Sequence, residues 1–172
     1  MYDPWDDFEL HRLNGWKVEW RPLTDLPEDR LGLTTWLDRT MHLDPDQENR
    51  QERVTVTHEV VHIERGPAPD GHEDREERIV DDLTARRLIS LEALAEAMVW
   101  AYDVDEVAFV LWVDEPSVRV RLRGLTPEEG RYIQEVVDAA EARFPEDVYD
   151  DVAWSEIGIA WNGDIERGEE AG

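Results

Sequence analysis

The chain has 172 residues, enough for one compact domain with its own core and no disulfides. It contains no cysteine, which excludes a disulfide framework and a thiolate metal site, so any metal must be held by His and carboxylates. A formal charge of −25, from 43 acidic and 18 basic residues, disfavours a broad surface for nucleic-acid phosphates.

Lys17 is the only lysine, a bias expected of a GC-rich genome such as that of an actinobacterium or its phage; a halophile is a second route to such acidity. The N-terminus lacks the basic and apolar regions of a signal peptide. Apolar stretches such as Val107–Val113 are too short to span a bilayer, so a cytoplasmic protein is expected.

Residues 1–15 read as a short helix or arm. Trp16 to Trp20 alternates with period two and reads as a strand. Residues 23–30 form an acidic, proline-containing loop, followed by strands at 33–37 and 41–43 around a turn at Asp38-Arg39-Thr40. Asp44-Pro45 reads as a helix start, with Asp as N-cap, Pro at the first position and Gln47 as a capping-box partner. That helix should run to Arg65 and stop at Gly66-Pro67. Val54, Val56, Val60, Val61 and Ile63 give it a broad apolar face, although the run Val54-Thr55-Val56-Thr57 has poor helix propensity and needs tertiary support.

Residues 66–74 form a loop. Further helices are expected at about 75–89, 91–101, 105–111, 115–123 and 127–143. Ile79, Val80, Leu83 and Leu88 should face inward on the first of these, and Thr126 should cap the last. The domain is expected to span 1–144, with 145–172 an acidic tail. Trp16, Trp20, Trp36, Trp100 and Trp112 are expected in the core; Trp5, Trp154 and Trp161 could anchor the arm and tail or bind a partner.

The chemistry concentrates in His58-Glu59-Val60-Val61-His62. Histidines four apart lie on one helix face, where their rings can converge on Zn²⁺. Glu59, beside the first ligand, can reach water at the metal without ligating it and serve as general base. The competing reading is two half-buried histidines with an incidental Glu. A third ligand is needed, and Glu77 on the next helix fits, with Asp81 one turn later placed to take an imidazole N–H, that of His58. Glu73 and Glu76 are substitutes, and all these carboxylates could instead form a solvated face with Arg75 and Arg78. Glu77 and Asp81 align with Thr84 and Leu88 on the inward side; His72 falls in a Pro- and Gly-rich loop and reads as a surface residue.

Thr57-His-Glu-Val-Val-His-Ile-Glu-Arg-Gly66, followed by Glu77-x-x-x-Asp81 and Ala85-Arg-Arg-Leu-Ile89, resembles the ImmA/IrrE family of metallo-endopeptidases, in the versions of actinobacteria and their phages. The family usually carries Glu-x-x-Ala-Asn ahead of Phe-Ala-x-x-Leu-Leu-Met-Pro. Here Asp81 replaces Asn, Leu83 replaces Phe and Ser90 stands in place of Pro. The Glu-x-x-x-Asp pair is also similar to that of gluzincins. The likeness covers residues 14 to about 125.

It implies an α+β fold, with a small antiparallel sheet of about three strands on a zincin-like bundle of about five helices. It implies a zinc-dependent endopeptidase with Zn²⁺ on His58, His62 and Glu77, and a protein substrate such as a transcriptional or phage immunity repressor. His42 and Tyr102 are candidates for assisting the oxyanion.

Residues 105–123 have the apolar spacing of a helix-turn-helix, with Arg119, Arg121 and Arg123 as possible DNA contacts. The surrounding negative charge favours a packed helical pair, or a surface presenting the protein substrate, over direct nucleic-acid binding. The alternative function is a non-catalytic zinc-containing regulator acting through this segment or the tail.

Overall fold

The computed structural model describes residues 2–24, 26 and 30–143. The expected acidic tail, with Trp154 and Trp161, lies outside the described residues. The architecture is α+β, with seven helices and one three-stranded sheet among the described residues. Contacts divide the chain into two compact units, Met1–Leu88 and Ile89–Gly172. No helix of the described residues is long and apolar enough to cross a membrane.

In the first unit, α1 (Pro4–Arg12) precedes β1 (Lys17–Trp20), β2 (Gly32–Thr35) and β3 (Thr40–Leu43), then α2 (Asn49–Arg65) and α3 (Glu73–Leu88). The strand order is β1-β3-β2. β2 pairs antiparallel with β3, with Leu33 opposite His42 and Thr35 opposite Thr40. β1 runs parallel to β3, from Lys17 opposite Thr40 to Trp20 opposite Leu43. The sheet is therefore mixed, not antiparallel as expected. Period-two alternation marks a strand but carries no direction. Only the short β2–β3 connection, with Arg39 in the left-handed region (φ 53°), forces an antiparallel pair.

β3 is buried along its whole length and takes the centre of the sheet. Its Met41 and Leu43 meet Phe8, Val56, Val60 and Ile63 in one apolar cluster against α2. This explains how the β-branched stretch 54–57 stays helical. Its propensity deficit is at most about 0.7 kcal/mol per residue, whereas burying a Val, Met or Leu side chain contributes about 1.5–3 kcal/mol each.

α2 begins at Asn49, not at Asp44-Pro45. Asp44 is occupied elsewhere: its carboxylate accepts the backbone N–H groups of Asp46 (2.9 Å) and Leu23 (2.8 Å), closing a turn and tying down the segment after β1. Capping passes to the next pair, Glu48 and Gln51, whose Oε1 accepts the Glu48 N–H at 3.0 Å. Gly66, at φ 83°, ends the helix as expected. α3 packs along α2. It buries Val80, Thr84, Ala85 and Leu88, whereas Leu83, expected inside, is 37% exposed.

The second unit contains α4 (Leu91–Trp100), α5 (Val104–Leu111), α6 (Glu115–Arg123) and α7 (Pro127–Arg143). Ser90, Asp103 and Asp114 cap the first three through their side chains. Thr126 and Glu129 cap α7 reciprocally. α5 turns into α6 through Trp112, itself left-handed (φ 56°). Arg121, one of the three arginines considered for DNA contact, is 3% exposed; it donates to Ile89 O and pairs with Glu129 at 2.8 Å. Arg119 pairs with Glu115.

Three tryptophans expected in the core are exposed. Trp20 ends the edge strand β1, Trp100 ends α4 and Trp112 occupies the turn, so each lies at an element terminus where less of the surface is covered. Trp16 and Trp36 are half-buried. Trp5 anchors α1: its ring packs against Trp20 of β1, centroids 6.3 Å apart, and its Nε1 donates to Glu52 of α2 at 3.2 Å.

Candidate metal centre

His58 and His62 project from one face of α2, a turn apart, and their Nε2 atoms stand 3.0 Å from each other. α3 runs beside α2 and brings Glu77 to them. Its Oε2 lies 3.4 Å from His58 Nε2 and 3.5 Å from His62 Nε2. The three ligand atoms all lie within 4.8 Å of one another. Four ligands at about 2.0–2.1 Å in a tetrahedron are separated by about 3.3 Å. The observed triangle therefore has the dimensions of one face of such a tetrahedron, with nitrogen and oxygen donors that suit Zn²⁺.

Electrostatics favours the same grouping. The hydrogen bonds to His58 and His62 hold the Glu77 carboxyl far below the usual range, keeping it ionised. Burial by itself pushes the His58 pKa down, but Asp81 and Glu77 outweigh it and raise it to about 9. Asp81 Oδ1 is 3.3 Å from His58 Nδ1, the nitrogen facing away from the triangle. An N–H on Nδ1 pointed at Asp81 leaves the Nε2 lone pair for a ligand. On the other side, Arg30 Nη2 is 3.4 Å from Glu77 Oε1, so the carboxylate has one oxygen toward the histidines and one toward the guanidinium.

The other candidate carboxylates, Glu73 and Glu76, stand outside the triangle and have other partners. Glu76 is ion-paired with Arg65, with Nη2 to Oε2 at 3.0 Å. Glu73 accepts the Gly71 N–H at 3.0 Å. His72 is exposed in the loop, as expected. His42 is not in the cluster. Met41 and Leu43 point to the α2 side, so alternation turns His42 to the opposite face, where it approaches Thr35 (3.4 Å) and Glu19 (3.7 Å). Tyr102 belongs to the other unit.

Glu59 is buried, at 5% exposure, yet it lines the same cavity as His62 and Glu77. The cavity has a volume of about 270 Å³ and is walled on the sheet side by Gly32, Thr34 and Trp36. The Trp36 ring packs edge-on against His62, centroids 6.3 Å apart. Thr34 Oγ1 donates to Glu59 Oε2 at 2.7 Å. None of Arg30, Gly32, Thr34 or Trp36 stood out in the sequence as a site residue. Gly32 lies just before the strand expected at 33–37, and only its place inside β2 makes it a mark of close backbone approach.

No protein-family model, curated protein or solved structure matches this chain.

Proposed function

We propose that the chain is a zinc-dependent metallo-endopeptidase that hydrolyses a peptide bond in a specific protein. The observation that carries this reading is the tetrahedron-sized triangle of His58, His62 and Glu77, with the carboxylate of Glu59 in the wall of the same cavity. Two imidazoles and a carboxylate form a three-ligand set that keeps a fourth position open, the pattern of catalytic rather than structural zinc. When bound there, zinc supplies Lewis acidity, polarising a carbonyl and lowering the pKa of water.

The chain's own groups do the rest. Asp81 fixes the His58 tautomer. Trp36 braces the His62 ring edge-on. Arg30 draws Glu77 Oε1 away from the histidines and leaves Oε2 facing them. Glu59 takes a proton from the attacking water and passes it to the leaving amine. Its burial, and the hydroxyl of Thr34, hold it on the cavity wall.

The resemblance to ImmA/IrrE peptidases supports the same reading and points to a transcriptional or phage immunity repressor as substrate. α2 lying on the sheet with α3 alongside is the packing a zincin-like site needs. The test is Glu59→Gln, with zinc content and cleavage of candidate repressors measured together. Full zinc with lost cleavage is the expected result. Zinc bound by a wild-type protein that cleaves nothing would favour the non-catalytic regulator.

A further inference from the structure

We propose that Thr34 and Gly32 of β2 are positioning residues for Glu59, a clamp between strand and helix on which the turnover of the site depends. The proposal rests on the peptidase reading and adds to it two residues outside the His-Glu-x-x-His motif.

Two independent contacts make the clamp. The first is the 2.7 Å hydrogen bond from Thr34 Oγ1 to Glu59 Oε2, between groups that are each 5% exposed. A hydroxyl to an ionised carboxylate at this length is charge-assisted and about twice as strong as a neutral pair. The Thr34 hydroxyl has a single proton, and its other acceptor, the Glu59 carbonyl, lies at 3.5 Å, so the carboxylate is the better partner.

The second contact is steric. A Cβ built on Gly32 would stand 2.7 Å from Glu59 Oε1, 2.9 Å from Glu59 Cγ and 2.6 Å from Thr55 Cγ2. Any side chain there would push β2 off α2 or turn the Glu59 side chain out of place. Gly32 and Thr34 are two apart on one strand and so face the same helix. The glycine permits the close approach that the threonine then uses.

The consequence is directional. Oε2 is engaged by Thr34 and Oε1 lies against Gly32, so the two contacts together hold the carboxylate in one orientation. A base held in one orientation makes its proton transfer without first finding its rotamer, and small misplacements of such a group cost about 100-fold in rate. Without the hydroxyl, Glu59 would keep its place in the sequence and lose its place in the cavity.

The experiment compares Thr34→Val, Thr34→Ser and Gly32→Ala with the wild type. Each is measured for zinc per chain, for affinity toward acetohydroxamate, and for kcat and KM on a peptide that the wild type cleaves. Acetohydroxamate chelates zinc and gives a proton to a properly placed carboxylate, so it reads the Glu59 position without turnover. For Thr34→Val we expect unchanged zinc content, hydroxamate binding about tenfold weaker, and kcat about 10- to 100-fold lower at a KM within about twofold. Thr34→Ser should restore both; Gly32→Ala should behave like Thr34→Val.

Turnover and hydroxamate binding of Thr34→Val equal to wild type would overturn the proposal. So would loss of zinc, or a Thr34→Ser variant as impaired as Thr34→Val, since packing alone would then explain the effect. If the wild type binds zinc and cleaves nothing, the peptidase reading fails by itself, and hydroxamate binding still decides the clamp. A wild type that binds no zinc overturns both.

Discussion

Asp81 stands 3.3 Å from His58 Nδ1, one turn of α3 beyond Glu77, which faces the Nε2 of the same ring. One helix thus addresses both nitrogens of one imidazole. In the proposed centre Glu77 would offer the metal a ligand beside His58, and Asp81 would set which nitrogen carries the proton. Replacing Asp81 with Ala should lower zinc affinity about 10- to 100-fold without unfolding the protein. Competition titration against a chelator measures this; an unchanged affinity would show that Asp81 is only a surface partner.

Metal binding should depend on pH in a defined direction. In the metal-free chain the His58 pKa is raised to about 9, burial lowering it and Asp81 and Glu77 raising it by more. Zinc requires the neutral ring, so below about pH 9 binding must expel that proton. Apparent affinity should therefore rise by about tenfold per pH unit from 6.5 toward 9. The sign for stability is opposite. Because the folded pKa lies above the unfolded one, the contribution of His58 to the metal-free fold is complete below about pH 6.5 and is lost as pH rises through about 9. Calorimetry in buffers of different ionisation heat counts the released proton; a pH-independent affinity would contradict the assignment.

The core under the site should be sensitive to volume. Met41 is fully buried between the sheet and α2, in contact with the cluster that includes Val56 and Val60. Met41→Ala should cost about 2–5 kcal/mol. Urea denaturation of the metal-free protein measures it; a cost below about 1 kcal/mol would mean that the sheet does not seat the helix.

Asp44 should appear in the acid limb of stability. Its carboxyl is held below the usual range by the Leu23 N–H and then the Asp46 N–H. A depressed folded pKa contributes stability above the unfolded value and loses it as pH falls through the folded one. The stability difference between wild type and Asp44→Ala should thus be constant near neutrality and shrink below about pH 4. Equal differences at pH 3 and pH 7 would contradict it.

The elements that were legible share one property: their signal is local and periodic. The spacing of His58 and His62 is a helical turn, so their convergence follows from the sequence once α2 is helical. Glu77 aligns with Thr84 and Leu88 on the buried stripe of α3, but Glu73, one turn earlier, shares that alignment, so helical spacing alone does not choose between them. Long-range relations were not legible. Strand direction left no mark in the alternation of Trp16–Trp20. α2 starts at Asn49 and not at Asp44-Pro45 because Asp44 spends its side chain on Leu23, a partner 21 residues away. Thr34 reaches Glu59 across 25 residues, and nothing around Thr34 announces it.

The central claim is that His58, His62 and Glu77 hold one zinc with a position left open. X-ray absorption at the zinc edge on the purified full chain tests it most directly. The account predicts one zinc per chain, two imidazole nitrogens at about 2.0–2.1 Å and low-Z oxygen ligands completing a four-coordinate shell, with one imidazole lost in His62→Ala. Absence of stoichiometric zinc, or a shell unchanged by His62→Ala, would contradict it.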